Sequence, residues 1–111
     1  MTLDIKICGL KTGEALEAAL ACGASHVGFI FFPKSPRNVA PAEAGRLRKA
    51  VAGRAMAVAV TVDADDSTLD AIVAAMSPDI LQLHGGETPE RVAAVKARLP
   101  YGKITGAGSA P

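Results

Sequence analysis

The stretch HVGFIFF at residues 26–32 contains one polar side chain, that of His26 at its first position. A strand with one face in water alternates polar and apolar residues, and this stretch does not alternate. Uninterrupted apolar strands of this length are typical of parallel sheets that are covered on both faces. The stretch therefore predicts an α/β protein with a parallel sheet.

Similar apolar runs alternate with helical patterns along the rest of the chain. Strands are predicted at 3–8, 26–32, 55–62, 79–84 and 103–107. Helices are predicted at about 12–21, at 41–51, from the DADDS segment at 63–67 to about 76, and at 88–99. The order βαβαβαβαβ indicates parallel βα repeats joined by right-handed crossovers, about four and a half units in all.

Composition and charge limit the class of protein. Of 111 residues, 50% are hydrophobic and 4% aromatic, so the core must consist mainly of aliphatic side chains. Twelve Lys and Arg against eleven Asp and Glu leave no basic excess for nucleic-acid binding. The apolar runs are shorter than the roughly 20 residues of a membrane span, and the N-terminus does not resemble a signal peptide. We expect one cytoplasmic domain over residues 1–111 that binds neither nucleic acid nor membrane.

Two architectures fit this pattern. An open doubly wound sheet is complete at this length, whereas a (β/α)8 TIM barrel needs about 200 residues or more, so this chain would form an incomplete barrel. The first βα turn, ICGLKTGEA at 7–15, lacks GxGxxG, and GxxxxGK[ST] is absent from the sequence. Nucleotide-binding forms of the open sheet therefore have no support.

Polar residues follow each of the first four predicted strands, at the sheet edge where parallel α/β proteins form their sites. These residues are Cys8; Lys34, Ser35 and Arg37; Asp63, Asp65 and Asp66; and His84 with Gly85 and Gly86. Period-two alternation places Lys6 and Cys8 on one face of the first strand and Gln82 and His84 on one face of the fourth. If their apolar neighbours face the helices, these four side chains converge on one interior, where polar groups need partners.

Each candidate also has a structural interpretation. Cys8 can be a small core hydrophobe, His84 a hydrogen-bonded packing residue, and Lys34 and Arg37 solvated loop charges. The three aspartates suit a helix N-terminus, where the helix dipole favours carboxylates. The Gly85–Gly86 pair can make a tight turn or present N–H groups to an anion. Two cysteines and two histidines without ligand spacing predict no metal site, and we expect no cofactor.

Four stretches, in order and near the right spacing, resemble the phosphoribosylanthranilate isomerase family of tryptophan biosynthesis. They are KICGL at 6–10, GFIFFPKSPRNV at 28–39, VAVTVDADD at 58–66 and LQLHGGETPE at 81–90. The family folds as a (β/α)8 barrel, so the resemblance implies that residues 1–111 form the N-terminal half of one.

The resemblance also implies a reaction. The family converts N-(5-phosphoribosyl)anthranilate to 1-(2-carboxyphenylamino)-1-deoxyribulose 5-phosphate by an Amadori rearrangement without a cofactor. It implies that Cys8 is the general base, that Arg37 contacts the substrate and suits the anthranilate carboxylate, and that His84 lines the pocket. Lys6 and Gln82 are expected to support this site.

The family's general-acid aspartate and its phosphate-binding loops belong to later strands that 111 residues do not include. We therefore expect this chain alone to be inactive, with open sheet edges that pair with a C-terminal half-barrel or with a second copy in a homodimer. Two alternatives remain: a half-barrel scaffold or binding module without isomerase activity, and an unrelated open-sheet protein in which Cys8 is structural.

Overall fold

A computed structural model describes residues 5–98 and 104–106. Its elements are β1 (Lys6–Cys8), α1 (Gly13–Ala21), β2 (His26–Phe31), α2 (Pro41–Val51), β3 (Met56–Thr61), α3 (Asp66–Met76), β4 (Ile80–Leu83), α4 (Pro89–Arg98) and β5 (Ile104–Gly106). The predicted order of elements is confirmed, with strands slightly shorter than predicted. Positions 3, 4, 99, 103 and 107 of the predicted elements lie outside the described residues. Within the described ranges, no helix has the length and apolar character to cross a membrane.

The five strands form one parallel sheet in the order β1-β2-β3-β4-β5. Each crossover places the next strand beside the previous one, with no reversal of the kind that defines a doubly wound sheet. A parallel sheet wound in one direction is the arrangement of a (β/α)8 barrel, and five strands are part of one. The sheet order therefore favours the incomplete barrel over the doubly wound alternative.

The two faces of the sheet have different neighbours. One face packs against all four described helices in a single apolar cluster, to which the strands contribute Val27, Phe29, Phe31, Ala57, Ala59, Leu81, Leu83 and Ile104. The opposite face, called here the inner face, carries a second cluster of Val58, Val60 and Ile80, against which Cys8 and Ile30 pack. All four helices of the described ranges lie on one side, and in those ranges the inner face is left to form the inside of a barrel.

Three of the four helices begin with a side-chain cap. Thr12, Asp65 and Thr88 each accept a hydrogen bond from the backbone N–H three residues further on, at 2.8–3.1 Å. The remaining helix, α2, instead begins with Pro41. Proline lacks a backbone N–H, and an N–H at this position would have no partner within the helix. The hydrogen bond from Thr68 holds the pKa of the Asp65 carboxyl below its usual value. These local signals explain why the predicted helix starts agree with the structure.

Asp79 ties the start of β4 to β3 and to α2, at the amino ends of the strands and away from the predicted site. The Asp79 carboxylate accepts from the Ala57 N–H at 2.8 Å and from the Arg48 guanidinium at 3.1 Å. The Asp79 N–H donates in turn to the Ala57 carbonyl at 2.8 Å. This set of bonds fixes the register of the two strands and connects it to α2.

Thr61, at the carboxyl end of β3, is a polar residue in the helix-facing core. It is fully buried, and it lies opposite Phe31 and Leu83 in the strand register. Its hydroxyl oxygen has no hydrogen-bond partner among the residues that the structure describes. A buried hydroxyl without a partner costs about 1–3 kcal/mol.

We expect Thr61→Val to raise the free energy of unfolding by about 1 kcal/mol, because it replaces the buried hydroxyl by a methyl group of similar size. Urea unfolding followed by circular dichroism measures this change. Thr61→Ser is the control: it keeps the hydroxyl, removes a buried methyl and should destabilise the protein. A loss of stability in Thr61→Val would mean that the hydroxyl has a partner in solution.

Candidate active site

Cys8 is the last residue of β1, and its thiol lies on the inner face. The residue is half-buried and packs against the cluster of Val58, Val60 and Ile80. A β-carbon on Gly28, its neighbour in the strand register, would lie 2.8 Å from the Cys8 sulfur. Only glycine at position 28 therefore leaves room for the thiol, which is free and partly accessible.

The turn after Cys8 lies against Arg37. Gly9 has a φ of +82°, and the N–H groups of Gly9 and Leu10 donate to the Gly28 carbonyl at 3.0 and 3.2 Å. The Arg37 side chain lies across this turn, so close that a β-carbon on Gly9 would be 2.5 Å from its Cδ. The structure thus places the Arg37 side chain against the turn that directly follows Cys8.

The β2–α2 loop is tied to its surroundings near Arg37. The Arg37 N–H donates to the Ser35 hydroxyl at 3.1 Å, and the Lys11 ammonium donates to the Pro36 carbonyl at 3.1 Å. The first bond lies within the loop, and the second holds the loop against the segment that follows β1. Lys34, the other cation predicted here, is exposed on the same loop.

Lys6 and Gln82 meet across the inner face. The Lys6 ammonium donates a hydrogen bond to the Gln82 side-chain oxygen, although the two residues belong to β1 and β4. Period-two alternation predicts both residues on one face, and the structure supplies the partner that each needs. The pair adds a positive charge to the face that carries the Cys8 thiol.

His84 follows β4 at its carboxyl end and is exposed. Its backbone N–H donates to the Thr61 carbonyl at 2.7 Å, which continues the β3–β4 pairing by one residue. An exposed histidine at a strand end does not match the interpretation of a packing residue in the core. It stands at the same edge of the sheet as Cys8.

The N–H groups of Gly85 and Gly86 are occupied by carboxylates of the chain itself. Gly85 donates to Glu87 at 2.7 Å, and Gly86 donates to Asp63 at 2.8 Å. The Gly85–Gly86 pair therefore forms a tight turn, and its interpretation as an anion site is wrong. Glu87 was not predicted as a functional residue, and its place directly after two glycines at a strand end is the only sequence signal of this contact.

The three aspartates after β3 have three different roles. Asp65 caps α3, and Asp66 lies in its first turn, as the interpretation of helix N-terminal charge predicts. The Arg91 guanidinium donates to Asp66 at 2.7 Å, and this hydrogen bond lowers the pKa of the Asp66 carboxyl. Asp63 lies outside the helix, and its carboxylate bonds the turn after β4.

The arrangement supports acid–base chemistry on an anionic substrate. A thiolate can take a proton, and the fork of a neighbouring arginine matches a carboxylate. Within residues 5–98 and 104–106, no three His, Cys, Asp or Glu side chains are grouped to hold a metal ion.

Comparisons with known proteins give one family. Residues 5–109 match the family model described as N-(5′-phosphoribosyl)anthranilate (PRA) isomerase. An N-(5′-phosphoribosyl)anthranilate isomerase from Mesorhizobium japonicum is 74% identical over 98 residues, which are 88% of this chain and 45% of the relative. The chain therefore spans less than half the length of this curated relative.

Solved structures agree. Phosphoribosyl anthranilate isomerase from Thermotoga maritima matches with a TM-score of 0.84 and 27% identity, over 95% of this chain and 50% of the other. A phosphoribosyl anthranilate isomerase in complex with reduced 1-(o-carboxyphenylamino)-1-deoxyribulose 5-phosphate matches with the same TM-score and identity, over 95% of this chain and 53% of the other.

The contact between Gly9 and Arg37 can be tested by comparing two glycines of equal φ. Gly53 has a φ of +81° with no neighbouring atom within 4 Å of a β-carbon, whereas Gly9 has a φ of +82° with Arg37 in the way. We expect Gly53→Ala to cost about 1–2 kcal/mol of stability from backbone strain. Gly9→Ala should cost the same amount plus the cost of displacing Arg37. Chemical denaturation measures both.

The Nε–H resonance of Arg37 in nitrogen-15 NMR spectra reports the displacement directly. It should move in Gly9→Ala and stay in place in Gly53→Ala. Equal stability losses with an unmoved Arg37 resonance would show that the arginine does not lie against this turn in solution.

Proposed function

Because the chain belongs to the N-(5′-phosphoribosyl)anthranilate isomerase family, we propose that it supplies the general-base half of an active site for the Amadori rearrangement. The substrate is N-(5-phosphoribosyl)anthranilate, and the product is 1-(2-carboxyphenylamino)-1-deoxyribulose 5-phosphate. The observation that carries the proposal is the partly accessible Cys8 thiol at the edge of the inner face, with Arg37 lying across the next residue.

In the proposed reaction, a general acid protonates the ring oxygen of the ribose, and the C1′–O bond breaks to leave an iminium ion. The Cys8 thiolate then removes the proton from C2′. The electron pair of that C–H bond forms the C1′–C2′ double bond of an enolamine, which tautomerises to the ketone. The iminium accepts these electrons, so the step needs no oxidant or cofactor.

We assign Arg37 to the anthranilate carboxylate, because its planar fork donates two parallel hydrogen bonds to such a group. The ligand of the related complex, a reduced carboxyphenylamino sugar phosphate, carries the same carboxylate. His84 would line the pocket at the strand-four end. Lys6, fixed by Gln82, would place a positive charge on the inner face near the thiolate.

In this proposal, another part of the assembly supplies the general acid and the phosphate site. In the described sheet β1 pairs with β2 alone and β5 with β4 alone, which leaves an open edge on each side. Open edges pair readily with further strands. We propose that a C-terminal half-barrel closes them and brings the acid and the phosphate-binding loops, and that a homodimer is the alternative closure. Two free cysteines suit a reducing cytoplasm, where we place the protein.

The first test is complementation. The chain is mixed with the C-terminal half of a related isomerase, and the loss of substrate fluorescence is followed. We expect activity that Cys8→Ala lowers on the order of 10²- to 10⁴-fold, the usual contribution of a general base. Cys22→Ala is the matched control, because Cys22 is exposed at the end of α1. Equal activity of the two variants would refute the base assignment.

An assembly of correct mass without any activity would instead favour the alternative of a half-barrel scaffold. Light scattering measures that mass and separates failed assembly from an inactive complex.

The second test concerns Arg37 in the same assembly. We expect Arg37→Ala to raise KM on the order of tenfold or more, with a smaller change in kcat, because the variant loses a charge-assisted bidentate contact. Arg37→Lys should recover only part of the loss, because an ammonium lacks the fork. Lys34→Ala is the control for general charge, since Lys34 is an exposed cation of the same loop. An equal rise in KM for Lys34→Ala and Arg37→Ala would contradict a specific role for Arg37.

A further inference from the structure

Two acidic side chains cross-link the turns that follow β3 and β4. One oxygen of Glu87 accepts from the Asp63 N–H at 3.0 Å, and its other oxygen accepts from the Gly85 N–H at 2.7 Å. The Asp63 carboxylate reaches back to the Gly86 N–H at 2.8 Å. We call these three hydrogen bonds, made by Asp63, Gly85, Gly86 and Glu87, the Asp63–Glu87 clamp.

The backbone at the clamp has an unusual geometry that these residues fit. Asp63 has a φ of +49°, a conformation that Asp and Asn adopt more readily than most residues. A β-carbon on Gly85 would lie 2.6 Å from the Asp63 carboxylate and 2.7 Å from the Asp63 nitrogen. The two turns are therefore in direct backbone contact, and glycine at position 85 is a condition of the clamp.

Hydrogen bonds hold the backbone on both sides of His84. On one side the His84 N–H is bonded to the carbonyl of Thr61, two residues before Asp63. On the other side Gly85, the next residue, is held by Glu87. The backbone of His84 thus has little freedom, although the residue itself is exposed.

We propose that Asp63 and Glu87 are positioning residues, which fix His84 and the strand-four end of the substrate site. This inference rests on the function proposed above. Neither residue needs to touch the substrate, because each acts through the backbone of the β4–α4 turn. Charge-assisted hydrogen bonds are about twice as strong as neutral ones, which suits them to hold an exposed turn.

Arg91 lies near the clamp, but its guanidinium is bonded to other groups. It lines a pocket of about 260 Å³ together with Asp63 and Glu87. Its guanidinium donates to Asp66 at 2.7 Å and to the Ala64 carbonyl at 3.1 Å. The partners of the clamp carboxylates are therefore backbone N–H groups, so the clamp acts by orienting the chain.

Substitution of the carboxylates by amides distinguishes the loss of the clamp hydrogen bonds from a general effect of lost charge. Glu87→Gln keeps one acceptor oxygen and loses the other, so it can hold Asp63 or Gly85 but not both. Asp63→Asn keeps the acceptor for Gly86 and tolerates the positive φ. Asp63→Ala loses the acceptor and is strained there. Glu90→Gln is the matched control, because Glu90 is an exposed acidic residue in the first turn of α4.

The first arm of the test uses NMR spectra of the chain itself. We expect Glu87→Gln to speed hydrogen exchange at the Gly85 or Asp63 amide and to shift the amide and ring resonances of His84. Glu90→Gln should leave these signals unchanged. Asp63→Asn should keep the protected Gly86 amide that Asp63→Ala loses. His84 resonances that do not change in Glu87→Gln, whichever of the two amides exchanges faster, would overturn the proposal.

The second arm measures kinetics in the complementation assembly. Misplacement of a binding group costs up to about 10²-fold, so we expect Glu87→Gln to raise KM on the order of tenfold with kcat changed less. Asp63→Asn should stay near the unmodified assembly. A variant that only melts at a lower temperature, with KM unchanged, would show that the clamp is structural and overturn the positioning role.

The NMR test and the kinetic test can be interpreted independently of each other. An unmodified assembly without activity would count against the proposed function. In that case the NMR arm, with its readout at His84, still supports or overturns the clamp.

Discussion

The structure depends on one constraint: a parallel sheet whose helices all pack on the same face. Each crossover must then lead in the same direction, and each carboxyl end arrives at the same edge of the sheet. The helix-facing side buries the large apolar residues, such as Phe29. The inner face is left with a small apolar cluster and the polar pair Lys6 and Gln82. In parallel α/β proteins ligands bind at this edge of the sheet, where the carboxyl ends of the strands meet.

Glycine determines how closely the turns at that edge approach one another. Gly28 leaves space for the Cys8 sulfur, Gly9 for Arg37 and Gly85 for the Asp63 carboxylate. In each case the missing β-carbon would lie within 2.8 Å of a functional or clamping atom. The candidate site is therefore assembled from contacts between neighbouring strands and between successive βα turns, and each contact requires a residue without a side chain.

The sequence predicts the elements well because their signals are local. Thr12, Pro41 and the apolar stretch at 26–32 act on their own segments, and the structure has the helices and strands where they indicate. The contacts of Asp63 and Glu87 could not be predicted, since a carboxylate in a turn carries no sign of which distant N–H it accepts from. The roles proposed for Cys8 and Arg37 rest on the family resemblance, whereas the place of Arg37 against the turn after Cys8 follows from the fold.

The bonds of Asp79 lie at the end of the strands opposite the site, and this separation has an evolutionary consequence. The register of β3 and β4 is fixed there by Ala57 and Arg48. Substitutions in the turns at the other end can alter ligand preference without shifting that register. Selection can therefore act on binding and on folding through different residues, and a sheet built in this way can acquire a new specificity while it keeps its architecture.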